Sequence, residues 1–359
     1  DAGLDPNLVA VAPFDVFDPK LELWREGLVD VLSRNLDGAG PLRTVSPTVV
    51  VRHWEGRADP ASAIALGRRT GAGLVAFGQV LPGGGDSVRL MATVHDVADG
   101  NAIVEVEVRG LEANMDRVTS SLAVALLNEL ARTRPMAAVR LGSLSSTSLP
   151  AIKLFLRAEQ FYRRGWYDSA VAYGQQAVAI DSTFTLALRL IAAAIRNGLP
   201  GNSTLYLLLA GARNHGLAPR ESLLVVVDSL WGALDSGSTT PGPLLRRLYR
   251  TLEEAVRLYP DDPAFWVYRG ELGYYRANAY AVPLTVAQTL ESFERAIRLD
   301  SAFIPGYSHA MELAQPLRGT EAARGLLAAE LAGEPRSPLA SGHRLVQVVL
   351  EPRTMTSSE

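Results

Sequence analysis

A short phrase of alanine and branched apolar residues recurs three times and constrains the fold of this chain more than any other feature. The copies close helix-like stretches and read AVAID at 177–181, AVRLYP at 255–260 and AIRLDS at 296–301. The second and third copies begin 41 residues apart, and the first and second begin 78 apart, about two such units. A period of roughly 34 to 42 residues with helix–turn–helix content is typical of stacked helical hairpins. We therefore interpret the chain first as a binding or scaffolding protein.

The composition narrows the classes of protein that this chain can represent. Its 359 residues allow two or three domains with substantial cores. A net charge of −3 supplies no basic field that would attract nucleic acid or anionic lipid. Because cysteine is absent, disulfides, thiolate catalysis and cysteine-ligated metal sites are excluded. No apolar run reaches the roughly 18 residues needed to cross a bilayer, so we predict no membrane span.

The first third of the chain alternates between strand-like and helix-like patterns. The apolar run at 8–14 predicts a buried strand, and apolar residues at helical spacing over 21–36 predict a helix. The same patterns predict strands at 42–45, 74–80, 88–94 and 103–108, helices at 59–71 and 111–131, and a glycine-rich turn at 82–86. The predicted order is β-α-β-α-β-β-β-α, an α/β N-terminal domain over residues 1–135.

The rest of the chain has a different composition. Residues 136–150 are rich in Ser, Gly and Pro and lack periodicity, so we predict a linker in which Ser148 caps the next helix. Over residues 151–335 the periodic segments are helical, which predicts an all-α array of helical hairpins. Residues 336–359 show no core-forming pattern and are assigned to a C-terminal extension.

Small and large residues recur within the array at the positions of a known repeat. Positions 4, 8, 11, 15, 17, 20 and 27 of a 34-residue hairpin hold Leu154, Ala158, Phe161, Gly165, Tyr167, Ala170 and Ala177. This pattern resembles a tetratricopeptide repeat, although Gly174 occupies a position that is usually aromatic. A later unit at 262–300 repeats the pattern, with Trp266 and Gly270 in place and a longer loop at 277–286. The stretch 198–243 lacks the signature small residues.

The first domain contains short phrases that occur together in one family: VAVAPF at 9–14, EGL at 26–28, LRTVS at 42–46, GQV at 78–80 and VRL at 88–90. They resemble the TolB-like amino-terminal domain. That domain commonly precedes tetratricopeptide repeats in bacterial membrane-bound Ser/Thr kinases, adenylyl cyclases and transcription regulators. The resemblance implies a non-catalytic region that often lies beyond a membrane helix. No kinase, cyclase or DNA-binding motif occurs in this sequence, so none of those activities carries over.

The sequence contains no pattern that indicates catalysis. It lacks a G-x-x-x-x-G-K-[ST] phosphate loop and a G-x-S-x-G elbow, and its five histidines form no H-x-x-x-H pair. The carboxylates of Glu253 and Glu254 have Arg250 and Arg257 at helical spacing, which favours a solvated, ion-paired helix face. The arginine pairs at 163–164 and 246–247 could meet acidic partners, but an isolated arginine pair on a helix is interpreted as ordinary surface. We therefore predict no catalytic, cofactor-binding or metal-binding residues and no cofactor.

One aromatic patch is the candidate binding site, and its residues are Phe265, Trp266, Tyr268, Tyr274, Tyr275 and Tyr280. Phe265, Tyr268 and Tyr275 share one face of a predicted helix, whereas Trp266 and Tyr274 share another. Since a repeat helix needs one apolar face for its neighbours, two aromatic faces imply burial on both sides or a partner on one. The hypothesis is a tyrosine-rich groove for a peptide or a partner subunit. The alternative is that both faces belong to the core.

The leading interpretation is a non-enzymatic protein-interaction scaffold. It would be a membrane-extrinsic subunit that docks on a larger, integral-membrane assembly, for example of the photosynthetic or respiratory type. We expect protein partners, no nucleic acid and a periplasmic location at the membrane through those partners, with the cytoplasm as the other open compartment. The alternative is the extracytoplasmic sensory, ligand-binding region of a membrane-bound Ser/Thr kinase or adenylyl cyclase, and an enzyme of unrecognised type ranks third.

Overall fold

The computed structural model describes residues 3–133, 146, 148–237, 239, 241–277, 281–301 and 306–333. The chain divides into two compact units, Asp1–Thr239 and Thr240–Glu359. The first unit contains a sheet with its helices and the first helices that follow, and the second contains the later helices. The predicted fold class, an α/β domain followed by an all-α array of hairpins, is confirmed. The domain boundaries expected at 135, 150 and 335 stay predictions.

Within the described residues, the α/β domain has six strands and four α-helices. The strands are β1 (Asp5–Val11), β2 (Asp15–Val16), β3 (Arg43–Thr44), β4 (Ala72–Gly84), β5 (Ser87–Asp96) and β6 (Ala102–Leu111). The helices are α1 (Leu23–Leu36), α2 (Pro47–His53), α3 (Pro60–Thr70) and α4 (Met115–Thr133). The longer elements follow the predicted order. Strand β2 and helix α2 are additional, because each is too short to show a periodic pattern in the sequence.

The strands form one mixed sheet in the order β3-β1-β4-β5-β6, with β2 paired to β4. Strand β1 lies parallel to β3 and β4, while β4, β5 and β6 are antiparallel. Buried residues alternate with more exposed ones over most of β5, as expected for a strand with one covered face. The turn predicted at 82–86 is too long, because β4 continues to Gly84 and pairs it with Ser87.

The helices after the sheet form successive hairpins. In the first unit they are α5 (Leu149–Arg163), α6 (Tyr167–Ile180), α7 (Thr185–Ile195), α8 (Ser203–Ala212) and α9 (Pro219–Asp235). In the second unit they are α10 (Pro241–Leu258), α11 (Pro263–Arg276), α12 (Val286–Leu299), α13 (Tyr307–Arg318) and α14 (Thr320–Gly333). Within each unit, consecutive helices pack against each other. Among the described helices, none combines the length and the apolar character that a bilayer crossing demands.

Two glycines show how the hairpins achieve close packing. A Cβ atom on Gly270 would lie 2.6 Å from the ring of Phe293, so the larger residue of α12 fills the space that the glycine of α11 leaves. A Cβ on Gly174 would lie 2.7 Å from Cγ1 of Ile191. The departure from the repeat pattern at Gly174 is therefore compensated by a large side chain on the next helix.

A buried cluster of charges joins α1 to α5 in the first unit. The Arg34 guanidinium lies 3.0 Å from Oδ1 of Asp30 and 3.3 Å from Oε1 of Glu159. Arg163 of α5 donates to the same Asp30 oxygen and lies 3.5 Å from Oε2 of Glu26. The side chains of Asp30 and Arg163 are only 1% and 4% exposed. Water therefore contributes little to stabilising these charges, and the opposite charges of the cluster stabilise them instead. The cluster fixes which face of α5 meets α1.

Helix α9 joins the same cluster from another direction. Its Glu221 carboxylate lies 3.5 Å from Nε of Arg34 and accepts a 2.8 Å hydrogen bond from Arg220. The backbone N–H of Arg220 donates to Oδ2 of Asp37, at the end of α1, over 3.2 Å. Burial alone would raise the pKa of Glu221, but the neighbouring arginines outweigh it and lower that pKa to about 2. For Glu159, burial and the Asp30 carboxylate prevail over the arginines and raise the pKa.

The structure corrects two interpretations of charged pairs, since Arg163 is not at the surface and Glu253 pairs with a different arginine. Arg163 is buried in the cluster, whereas its neighbour Arg164 is half-exposed and pairs with Glu26 at 2.8 Å. The sequence shows no sign of this difference, because Asp30 and Glu26, which pair with Arg163 across the interface, lie more than 130 residues away. On α10, the carboxylate of Glu253 pairs with Arg269 of α11 at 2.6 Å instead of forming the expected pair along its own helix.

We predict that Arg163→Met lowers the free energy of unfolding by about 3–5 kcal/mol, because it removes one of the two guanidinium groups that pair with the buried carboxylates of Asp30 and Glu159. The matched control is Arg164→Met, which removes a half-exposed partner of Glu26 and costs less than about 1 kcal/mol. Urea unfolding followed by circular dichroism measures both. Equal losses from the two variants would contradict the buried cluster.

We also predict an acid-dependent contribution from Glu221. Its folded-state pKa, about 2, lies below the ordinary 4.5, so its ionised form stabilises the fold above pH 4.5. This stabilisation declines as the pH falls from 4.5 towards 2. The difference in unfolding free energy between the wild type and Glu221→Gln should therefore shrink over that range. A difference that stays constant from neutral pH down to about pH 3 would argue against the low pKa.

Candidate functional site

An aromatic and acidic cluster lies where α11 approaches α13 in the second unit. We call it the tyrosine–histidine cluster, formed by Tyr274, Tyr275, His309, Glu271 and Glu312. The rings of Tyr274 and His309 are stacked, with centroids 3.9 Å apart and planes at 24°. The Tyr275 ring meets both at its edge, 5.0 Å from Tyr274 and 5.3 Å from His309. Three rings from two hairpins thus form one aromatic surface.

Polar contacts fix the imidazole within this cluster. The Tyr275 hydroxyl lies 3.0 Å from Nε2 of His309, and Oε1 of Glu271 lies 3.6 Å from the same nitrogen. On the other side of the ring, Oε2 of Glu312 is 3.4 Å from Nδ1. The Tyr274 hydroxyl donates a hydrogen bond to Glu312. This bond, together with desolvation and the carboxylate charge, raises the pKa of Tyr274 to about 12.

The local sequence explains why these side chains converge. Helix α11 begins at Pro263, and the carboxylate of Asp262 caps it by accepting from the Ala264 N–H at 2.9 Å. The two tyrosines of the cluster therefore fall in the last turn of α11. At the start of α13, Tyr307 is buried and donates to the carbonyl of Ser301 at 2.8 Å, which anchors the first turn of the helix that carries His309.

The cluster is open to solvent on one side. Tyr275 is 55% exposed and the side chain of Glu312 is 56% exposed, whereas the side chains of His309 and Glu271 are about one-fifth exposed. A partner would therefore meet the ring of Tyr275 and the carboxylate of Glu312. Both groups are attracted to cations, the ring through its quadrupole and the carboxylate through its charge.

The predicted aromatic residues occupy different environments. Phe265 is fully buried and packs near Tyr259, so it serves the core and offers no surface to a partner. Trp266 is half-buried, and its indole N–H donates to the carbonyl of Pro260 at 2.9 Å. Tyr268 is also half-buried, near the middle of α11.

Of the six predicted residues, the structure places Tyr274 and Tyr275 together in the cluster. Tyr280 lies outside the described residues. Binding of a partner by the predicted residues stays a prediction.

Three residues of the cluster were missed from the sequence: His309, Glu271 and Glu312. His309 is far from the other histidines in the sequence, so it forms no paired motif that would indicate a metal site. The available signal was the repeat period itself. His309 follows Tyr275 by 34 residues, and Glu312 follows Tyr274 by 38, which places them on the next first helix of the array.

The tyrosine–histidine cluster contains three side chains of types that can ligate metals, His309, Glu271 and Glu312. In the part of the chain that the structure describes, no group of three or more His, Asp or Glu side chains is placed to hold a metal ion. The arrangement of the tyrosine–histidine cluster suits non-covalent recognition of a side chain.

The similarity of this chain to known proteins is low. No protein-family model matches the chain. No curated protein matches it either. A thermophilic tetratricopeptide protein from Thermus thermophilus is similar in structure at 17% identity and a TM-score of 0.42, over 56% of this chain and 98% of that protein.

Two further solved structures are similar over about half of the chain. One is YrrB, a tetratricopeptide protein with an unusual peptide-binding site, at 15% identity and a TM-score of 0.28 over 54% of this chain and 92% of that one. The other is the TPR2AB domain of yeast Sti1 in complex with pHSP90, at 13% identity and a TM-score of 0.24 over 56% and 96%. The chain's own helix pairs define a helical-hairpin array that follows the α/β domain in the sequence.

We predict that Glu312→Ala lowers the pKa of Tyr274 from about 12 towards the ordinary 10, because it removes both the hydrogen bond and the carboxylate. Carbon-13 NMR of labelled tyrosine rings, assigned with Tyr274→Phe, measures this pKa. The control is Glu291→Ala, an exposed carboxylate of α12, which should leave it unchanged. A wild-type Tyr274 that already titrates near 10 would show that the Glu312 bond does not form.

Proposed function

We propose that this protein is a non-enzymatic interaction scaffold whose tyrosine–histidine cluster binds a protein segment that presents a lysine or arginine side chain. One observation carries the proposal: exposed Tyr275 lies against stacked Tyr274 and His309, with carboxylates of Glu271 and Glu312 on either side of the imidazole. Aromatic faces beside carboxylates attract a cationic group through two additive interactions. Arginine fits best, since its planar guanidinium stacks on rings and pairs with carboxylates.

The position of the cluster in the array supports a peptide ligand. Helices α11 and α13 are the first helices of two successive hairpins, and first helices line a continuous surface in stacked arrays. Since the rings are already fixed by the His309 contacts, a ligand would meet a preorganised surface and lose little free energy to ordering it. Tyrosine is among the residues that contribute most to the energy of protein interfaces.

The finer proposal concerns the setting in which this scaffold works. We infer a membrane-extrinsic subunit that docks on an integral-membrane assembly from an extracytoplasmic, periplasmic location. Two features support this proposal. One is the array of helical hairpins, which is typical of interaction proteins, and the other is the resemblance of the N-terminal domain to the TolB-like domain. The same resemblance supports the second candidate, the sensory region of a membrane-bound Ser/Thr kinase or adenylyl cyclase. Purification of the native protein in mild detergent separates the two, through stoichiometric membrane subunits in the first case and a catalytic domain on the same polypeptide in the second.

Binding to an array of peptides tests the proposed site. We expect peptides with arginine or lysine beside an apolar residue to bind, and their counterparts with glutamate to fail. The double variant Glu271→Gln, Glu312→Gln should weaken binding about tenfold or more, because it removes both negative charges.

The matched control is Glu105→Gln with Glu291→Gln, which removes two exposed carboxylates outside the cluster and changes the net charge equally. It should bind like the wild type. Equal binding by the control and the cluster variant, or a preference for acidic peptides that survives in both, would refute the proposed site.

A further inference from the structure

One face of α10 concentrates arginine in a way that the proposed function does not use. Arg246, Arg247, Arg250 and Arg257 are all exposed, and we call them the α10 arginine face. At 100° per residue they fall within one sector of the helix. The opposite sector is buried through Leu245, Leu248, Leu252, Ala255 and Val256. The burial of that sector fixes the arginines towards solvent.

In the part of the protein that the structure describes, none of the four guanidinium groups forms an ion pair. The nearby carboxylate of Glu253 is engaged by Arg269 of α11 at 2.6 Å, so it is withdrawn from the α10 arginine face. Glu254 lies on the same sector as the arginines and is exposed. Four positive charges and one negative charge therefore leave this surface clearly basic in a chain whose net charge is −3.

The arginines also border a shallow depression that can receive side chains. It has a volume of about 450 Å³ and is lined by Pro243, Arg246, Arg247, Arg250, Thr251 and Glu254. An ion pair formed by a single exposed cation on a flat surface contributes little binding free energy, because water screens the charges. Several guanidinium groups around one concavity can pair simultaneously with the carboxylates of one segment. Each ion pair that forms then limits the positions of the segment in which the next pair can form.

We propose that the α10 arginine face is a docking surface for an acidic segment of a protein partner. The occupant follows from charge complementarity, since planar guanidinium groups pair bidentately with carboxylates. A span from Arg246 to Arg257 covers roughly 17 Å of helix, which matches a short acidic segment. A nucleic acid or an anionic bilayer needs a wider basic field, and the net negative charge of the chain opposes such large polyanions.

Fluorescence anisotropy with a labelled peptide of about twelve residues, rich in glutamate, tests this proposal on the full chain. The comparison peptide has glutamine at each glutamate. We expect the acidic peptide to bind with a salt-sensitive affinity and the glutamine peptide to bind at least about tenfold more weakly. The triple variant Arg246→Glu, Arg247→Glu, Arg250→Glu should lose the acidic peptide by a similar factor. A second variant with glutamine at these positions should show an intermediate loss and avoids new like-charge repulsion along the helix.

The matched control reverses three other exposed arginines, Arg68→Glu, Arg117→Glu and Arg157→Glu, and changes the net charge by the same amount. It should keep most of the binding. Equal loss in the control would overturn the proposal, since it would show a general charge effect.

Failure of the wild type to bind the acidic peptide would also overturn the proposal, as would binding to duplex DNA or phosphatidylglycerol vesicles without binding to the peptide. The outcome is independent of the tyrosine–histidine cluster, whose proposed ligand has the opposite charge.

Discussion

The buried charge cluster of Asp30, Arg34, Glu159, Arg163 and Glu221 is the interaction on which the first unit depends. Charges removed from water are tolerated only when each finds its counter-ion, so the three helices that supply them can meet in few ways. Such a cluster is poor evidence for high stability, because desolvation offsets much of the attraction. Its effect is on geometry: α5 and α9 are positioned against α1. This explains why the first compact unit extends to Thr239 instead of ending with the sheet.

Strands and helices whose apolar residues recur at a regular spacing could be predicted from the sequence. Contacts between residues far apart in the chain follow no such spacing and could not be predicted. Alternating apolar residues identified β5, and helical spacing identified α1. Strand β2 could not be predicted, because two residues are too few to show an alternation of apolar and polar side chains. Arg163 and Arg164 are adjacent and chemically identical, yet one is buried and one is half-exposed, and only the position of α1 decides between them. Repeat spacing did contain the tyrosine–histidine contact, since its partners lie one repeat apart.

The second unit presents two surfaces of opposite chemical preference. The tyrosine–histidine cluster combines aromatic rings with carboxylates, and we propose that it binds a cationic side chain, whereas we propose that the α10 arginine face binds carboxylates. A partner with a basic and an acidic segment would engage both, and linking two weak contacts raises the overall affinity without new interactions. The buried face of each helix keeps these side chains in place. In this account the array is a rigid support, and the exposed side chains supply the specificity.

The most direct test of the account is site-specific photocrosslinking in the cells that make this protein. A benzoylphenylalanine in place of Tyr275 samples the exposed side of the tyrosine–histidine cluster, and the same residue in place of Leu317, also exposed on α13, serves as the control position. Position 275, and not position 317, should capture a defined protein through a segment that contains lysine or arginine. Capture of the same proteins from both positions, or of none from position 275, would contradict the claim that this cluster binds a partner.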